Sequence, residues 1–121
     1  MEEFEELVHK AVDGIPHEFK EILKRERINV LPRELAPRAV KEKFPGRIVF
    51  GIFIGVPLNK KRLLSLAQTE PTRIEIYKEN FQKVFGSEIN EKMKDKIKKT
   101  VIHEIAHSLG FDEKEIAERG Y

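Results

Sequence analysis

TVIHEIAHSLGFDEKE, residues 100–115, is the stretch of this sequence that decides its fold. It places His103 and His107 four residues apart, with Glu104 directly after the first histidine. The apolar residues that lead into and through the stretch at steps of four are Ile89, Met93, Ile97, Val101, Ile105 and Leu109. This spacing predicts one long helix with Ser87 as its N-cap.

Working outward, the upstream sequence predicts two amphipathic helices followed by three short strands. Apolar residues at helical spacing up to Gly14 predict the first helix, and Pro16 opens the second. The predicted strands are RINVL (27–31), RIVFGIFIGV (47–56) and TRIEIY (72–77). We therefore predict a single α+β domain over residues 1–121, in which a small mixed sheet of about three strands packs beside the long helix.

The composition of the strands predicts their places in the sheet. RIVFGIFIGV is apolar on both faces, so we expect it to be central. TRIEIY alternates isoleucine with polar residues, so we expect a half-exposed strand at the sheet edge. Pro32 is expected to end the first strand, and the segment 32–46 to be mostly loop. A short helix is expected over residues 78–85.

The overall composition narrows the classes of function. The 121 residues carry 23 basic and 21 acidic side chains, so no basic excess favours nucleic acid as a partner. There is no cysteine, so any metal must be held by imidazole and carboxylate groups. The acidic start MEEFEELVHK lacks the blocks of a signal peptide, and no apolar run reaches the length of a membrane span. We therefore expect a cytoplasmic protein that binds neither nucleic acid nor membrane.

His103 and His107 form a pair of metal ligands if they lie on a helix. Residues four apart share one helix face, so both imidazoles reach the same ion. Glu104 is rotated by about 100° from His103 and reaches a water molecule on that ion instead. The spacing H-E-x-x-H is therefore typical of hydrolytic Zn²⁺ sites, in which the glutamate accepts a proton from the water. The alternative is a charged helix face with two solvated histidines, but the apolar residues around the motif favour the metal.

A zinc site of this kind needs a third protein ligand, and the candidates after His107 are all carboxylates. They are Asp112, Glu113, Glu115 and Glu118. Gly110 allows the chain to turn sharply and return to the metal. Asp112 and Glu115 have the spacing of a capping box for a last short helix, which leaves Glu113 free in its first turn. We therefore predict Glu113 as the third ligand, with Asp112 as the alternative.

HEIAHSLGFDE, together with GIFIGVPL and PTRIEIY upstream, resembles the minimal zincin-like metallopeptidase family of small bacterial and archaeal proteins. The resemblance covers nearly the whole chain, and the family pattern is H-E-x-x-H-x-x-G-x-x-D. The residues that match it directly are His103, Glu104, His107 and Gly110. Glu113 stands where the family has aspartate, and its longer side chain can still ligate. Phe53 stands where the family often has tyrosine, so no hydroxyl is carried over there.

We expect from these observations a zinc metallopeptidase that cleaves a peptide or protein substrate, with Glu104 as the general base. In such folds a sheet edge beside the helix binds substrate as an added strand, and TRIEIY is the candidate edge. Tyr77 is a candidate donor to the oxyanion, with an ordinary surface tyrosine as the alternative. Two other hypotheses stay open: a zinc-binding partner module with little or no peptidase activity, and a structural domain without metal.

Overall fold

The computed structural model describes residues 1–55 and 72–121, and the element labels count only these residues. The elements are α1 (Glu2–Asp13), α2 (His17–Arg25), β1 (Asn29–Arg33), α3 (Arg38–Lys43), β2 (Gly51–Ile54), β3 (Arg73–Tyr77), α4 (Lys78–Phe85), α5 (Glu91–Ser108) and α6 (Glu113–Glu118). The three strands form one mixed sheet in the order β1-β3-β2. β1 pairs with β3 in parallel, and β2 pairs with β3 antiparallel. The predicted α+β class, with two N-terminal helices and one long helix, is confirmed.

The predicted places of two strands are wrong. β3, which carries most of TRIEIY, is the central strand of the sheet, and four of its five residues are buried. β2 covers only Gly51–Ile54 of the stretch predicted as central, and it lies at an edge of the sheet that residues 1–55 and 72–121 form. Val56, at the end of the predicted strand, lies outside the described residues.

Both errors have a packing reason. β2 is apolar on both faces because each face is covered: Phe53 packs against the main core and Ile52 against a second cluster around Val40 and Tyr77. The polar alternation of β3 places Glu75 on the face of this second cluster, where it is 1% exposed. The apolar residues of β2 therefore reflect the neighbouring elements that cover both of its faces, and not a central position in the sheet.

Glu75 is buried as an ion pair rather than left in solvent. Its Oε2 accepts hydrogen bonds from Arg33 Nε at 2.8 Å and from Arg73 Nε at 3.0 Å. Its Oε1 accepts a hydrogen bond from the Tyr77 hydroxyl at 3.0 Å. Burial alone would raise the pKa of Glu75, but these three donors and the Arg33 charge outweigh it and lower the pKa.

Three local boundaries also differ from the prediction. Pro32 lies inside β1 instead of ending it, which an edge strand tolerates because its missing N–H need not join the ladder. The segment predicted as loop contains the short helix α3 after Pro37. The N-cap of the long helix is Asn90 rather than Ser87, and its side chain accepts a hydrogen bond from Met93 N at 2.9 Å. The predicted helix over residues 78–85 is confirmed.

The long helix α5 is held in place by its apolar stripe. Met93, Ile97, Val101 and Ile105 are at most 1% exposed and belong to the core that the sheet and α1 share. This packing fixes the rotation of α5 and turns its C-terminal half towards β2. Across residues 1–55 and 72–121, no helix is long and apolar enough to cross a membrane.

Candidate metal centre

The two motif histidines lie side by side near the C-terminal end of α5. Their ring centroids are 4.9 Å apart, and each side chain keeps just over a quarter of its surface exposed. Glu113, in the first turn of α6, places its Oε1 at 3.1 Å from His103 Nε2 and at 2.7 Å from His107 Nε2. One carboxylate thus faces the same nitrogen atom of both rings.

A hydrogen bond fixes which nitrogen of His107 is available as a ligand. Nδ1 lies 3.2 Å from the carbonyl oxygen of Phe111. A carbonyl only accepts, so this contact places a proton on Nδ1; in the neutral ring, Nε2 then keeps its lone pair. A lone pair 2.7 Å from the Glu113 carboxylate would be repelled unless a proton or a cation lies between them. The donor set is therefore chemically suited to a cation.

The distances also fit a zinc ion. On a tetrahedral zinc with bonds of about 2.0–2.1 Å, ligand atoms lie about 3.3 Å apart. The separations of 2.7 and 3.1 Å at Glu113 need to open by only about half an ångström for such bonds. Glu113 is 72% exposed, so its side chain has the freedom to make that adjustment.

The turn after α5 carries Glu113 to this position. Gly110 has φ +94°, the left-handed conformation that glycine adopts without strain. Its N–H donates to the His107 carbonyl at 2.9 Å, and Phe111 N–H donates to the Ala106 carbonyl at 3.2 Å. These two bonds form a Schellman motif, which ends α5 and reverses the chain.

Asp112 has the capping role that the sequence predicts for it. Its carboxylate accepts a hydrogen bond from Glu115 N at 2.8 Å, and its own N–H donates to Glu115 Oε1 at 3.2 Å. Asp112 and Glu115 therefore form the capping box of α6. The carboxylate that contacts the imidazoles is that of Glu113, one residue further on.

Glu104 lies on the buried side of the two histidines. Its side chain is 8% exposed, and Oε1 accepts a hydrogen bond from the backbone N–H of Phe53 in β2 at 2.9 Å. Burial raises the pKa of Glu104 above the ordinary carboxyl value, although the two imidazoles and the Phe53 N–H act against it. A buried carboxyl group with a raised pKa is suited to accept and return a proton.

Two carboxylates therefore compete for the position of third ligand. Ligand atoms of His103, Glu104 and His107 lie within 4.8 Å of one another, so distance alone admits Glu104. Glu113, however, contacts both Nε2 atoms, whereas Glu104 is tied to the backbone of Phe53. The contacts favour Glu113 as the carboxylate beside the two imidazoles, with Glu104 as a buried neighbour.

Tyr77 does not lie at this centre. It is completely buried, and its hydroxyl donates to Glu75 on the opposite face of the sheet. Burial, together with the neighbouring Glu75 charge, raises the pKa of Tyr77, so it stays protonated. Both expectations for Tyr77, an oxyanion donor and a surface tyrosine, are wrong.

An open groove of about 750 Å³ runs along the line where β2 faces α5. Its lining includes His103, Glu104, His107 and Glu113, and also Gly51, Ile52 and Phe53 of β2. The centre is therefore reachable by a ligand that lies along the strand.

Two contacts at the centre are made by backbone groups and have no direct signal in the sequence. The Phe53 N–H that holds Glu104 and the Phe111 carbonyl that orients His107 are backbone groups, which every residue carries. The Phe111 contact follows from a glycine-terminated helix, since the chain must turn back there. The Phe53 contact depends on how the sheet packs against α5.

The comparisons with known proteins agree with this geometry. The model of one family, described as zincin-like metallopeptidase, matches residues 26–121. The match includes the whole sheet, the long helix and the centre, and begins at the end of α2. No curated protein and no solved structure matches the chain.

Proposed function

We propose that this chain, which belongs to the zincin-like metallopeptidase family, is a zinc-dependent peptidase that hydrolyses peptide bonds in extended substrates. The observation that carries the proposal is the Glu113 carboxylate placed against Nε2 of both His103 and His107. The buried Glu104 directly beside them supports a hydrolytic site rather than a purely structural one, because a structural site does not need a general base.

In this proposal, zinc is held by His103 Nε2, His107 Nε2 and the Glu113 carboxylate. Two neutral imidazoles and one carboxylate are a common donor set of catalytic zinc sites, which keep a further position open. The Phe111 carbonyl holds His107 in the tautomer that offers Nε2 to the ion. When bound, zinc supplies Lewis-acid chemistry: it makes a water molecule more acidic and polarises the substrate carbonyl.

Glu104 handles the proton. Its Oε1 is engaged by the Phe53 N–H, so we assign the transfer to Oε2. Oε2 takes a proton from the attacking water as the new C–O bond forms. It returns that proton to the amide nitrogen as the C–N bond breaks, and an acid and an amine leave. The raised pKa of Glu104 supports both directions of transfer.

The edge of β2 is the surface on which we propose that the substrate lies. The Phe50 carbonyl accepts from Tyr77 N at 2.9 Å, so it faces β3. Backbone groups alternate in direction along a strand, so those of Gly51 and Phe53 face away from β3, towards the groove. An extended peptide can pair as an added strand with the Gly51 backbone groups and the Phe53 carbonyl, while the Phe53 N–H stays with Glu104. β2 replaces TRIEIY in this role, because TRIEIY is the central strand.

The test is hydrolysis of an unfolded protein by zinc-loaded protein. We expect cleavage that a chelator abolishes and that added Zn²⁺ restores, and about one zinc per chain by elemental assay. The Glu104→Gln variant is the control, because it retains the ligands but cannot accept a proton. Zinc binding without cleavage of any unfolded protein would contradict the peptidase and favour the partner-binding module.

A further inference from the structure

The groove continues beyond the centre, towards the N-terminal end of β2. α5 and β2 run in the same direction, because residues further along β2 lie beside residues further along α5 at three positions. Lys96 Nζ lies 5.1 Å from the Phe50 ring centroid, a Cβ on Gly51 would lie 3.0 Å from Thr100 Cγ2, and Glu104 accepts from Phe53 N. The part of the groove on the Phe50 side is called here the distal arm.

Cations line the distal arm. Of the described side chains that line the groove, the charged ones outside the metal centre and the α6 cap are Lys43, Arg47, Lys96 and Lys99. Asp112 and Glu113, the exposed carboxylates that line the groove, both lie at the metal-centre end. The distal arm is therefore basic along its described length.

This concentration is local. The whole chain has a net charge of only +2, so basic and acidic residues nearly balance over the molecule. The four cations that line the distal arm, with no carboxylate among the described side chains there, are therefore a local excess of positive charge. Within the described chain, no carboxylate pairs with Arg47 or Lys99. Lys96 is half-buried, and its ammonium group lies over the Phe50 ring. Such groups gain most from an anion that enters the groove.

We propose that the distal arm selects peptides with acidic side chains on the carboxyl side of the cleaved bond. This rests on the proposed peptidase function and names its substrate class. A peptide that pairs antiparallel with β2, as β3 does on the other edge, has its C-terminal end beside the residues that precede Gly51. Its carboxylates then meet the amino and guanidinium groups of Lys96, Lys99 and Arg47.

The distances along α5 from Glu104 to the lysines predict where the acidic side chains of the substrate lie. Lys96 lies eight residues before Glu104 on α5, a rise of about 12 Å. An extended peptide spans that length in about three to four residues. Lys99 lies closer, about 8 Å along the helix from Glu104. The acidic side chains are therefore expected about two to four residues after the cleaved bond.

A binding experiment tests the proposal without turnover. The full chain with Glu104→Gln, loaded with zinc, is titrated against three fluorescent peptides of identical apolar sequence. They carry three aspartates on the carboxyl side, three aspartates on the amino side, or three asparagines. We expect the first to bind about tenfold more tightly than the other two at low salt. The difference should nearly vanish in about 0.5 M NaCl, where screening is strong.

Matched variants locate the effect. Lys96→Gln/Lys99→Gln removes two charges from the distal arm and should abolish the preference. Lys10→Gln/Lys92→Gln removes two exposed charges that do not line the groove and should leave it unchanged. An equal loss in both double variants would overturn the proposal, since the preference would then come from net charge. A preference for aspartates on the amino side would also overturn it.

The experiment separates this inference from the peptidase proposal. Cleavage of all three peptides by the wild-type protein at equal rates, with equal binding, would refute the acidic preference and leave the peptidase standing. Tight binding of the first peptide without cleavage by zinc-loaded wild type would refute the peptidase and leave an acid-selective groove. Tighter binding of an oligonucleotide than of the first peptide would refute a peptide as the occupant.

Discussion

The backbone N–H of Phe53 donates a hydrogen bond of 2.9 Å to Oε1 of Glu104. This hydrogen bond links the edge strand β2 to the helix that carries the candidate metal centre. A glutamate in a buried position needs such a donor, because an unsatisfied carboxylate oxygen is costly to bury. It also fixes the position of Glu104 relative to the strand on which we propose that the substrate lies.

Glu104→Gln should separate the base from the ligands. Glutamine can still accept the Phe53 N–H with its carbonyl oxygen, so the fold and zinc content should be unchanged. Hydrolysis should fall by about 10²–10⁴-fold, because the amide cannot take a proton. Elemental analysis and a peptide cleavage assay on the same sample check both parts. Loss of zinc in this variant would identify Glu104 as a ligand.

Glu113→Ala should weaken zinc binding by more than about 100-fold while the apo fold stays intact. Glu113 is exposed and makes its contacts with the two imidazoles, so the core does not depend on it. Glu113→Asp, which restores the family's residue, should retain zinc. Competition with a zinc-chelating dye measures the affinities.

Asp112→Ala is the matched control one residue away. It removes the capping box of α6 and should cost about 0.5–2 kcal/mol of unfolding free energy, with zinc affinity nearly unchanged. Chemical denaturation and the same dye competition check the two values. If Asp112→Ala rather than Glu113→Ala loses the metal, the assignment of the third ligand is shifted by one residue.

Gly51→Ala should displace β2 from the helix. The added Cβ would lie 2.7 Å from the Glu75 carbonyl oxygen and 3.0 Å from Thr100 Cγ2, so the strand must move. We expect a loss of about 1–3 kcal/mol in unfolding free energy, and reduced hydrolysis because the Phe53–Glu104 contact is disturbed. Gly14→Ala is the control: its Cβ would meet the flexible end of Lys98, which can move aside.

The buried Glu75 should make stability depend on pH. In the unfolded chain its carboxyl titrates near the ordinary value of 4.5, and the fold lowers that pKa. Its contribution is therefore complete above the unfolded value and is lost as the pH falls through the lower folded value. Glu75→Gln should cost about 1–3 kcal/mol at neutral pH, since Arg33 and Arg73 each lose a charged partner.

Denaturation of both proteins between neutral and acid pH measures this difference. The gap between wild type and Glu75→Gln should narrow as the pH falls below the unfolded value. Tyr77→Phe removes one donor to Glu75 and should cost less, about 1 kcal/mol. A gap that stays constant with pH would mean that Glu75 contributes through packing rather than through its charge.

The features that the sequence alone determined are all local in the chain. Spacing of four residues places His103 and His107 on one helix face whatever surrounds them. A glycine after the helix and the pair Asp112–Glu115 specify a turn and a capping box within a few residues. These patterns depend on backbone geometry over short distances, so the arrangement that turns Glu113 towards the imidazoles followed from the sequence.

Only the tertiary structure decided the order of the strands and the surroundings of Glu104. Tertiary contacts join residues far apart in the chain: Arg33 and Glu75 are hydrogen-bonded across 42 positions, and Phe53 and Glu104 across 51. The alternation of polar and apolar residues in TRIEIY is compatible with two environments. The strand can lie at a solvent-exposed edge, or its polar side chains can form a buried cluster of ion pairs. The choice depends on whether another strand brings a cation to the carboxylate, as β1 does with Arg33, because a charge is buried only when it is paired.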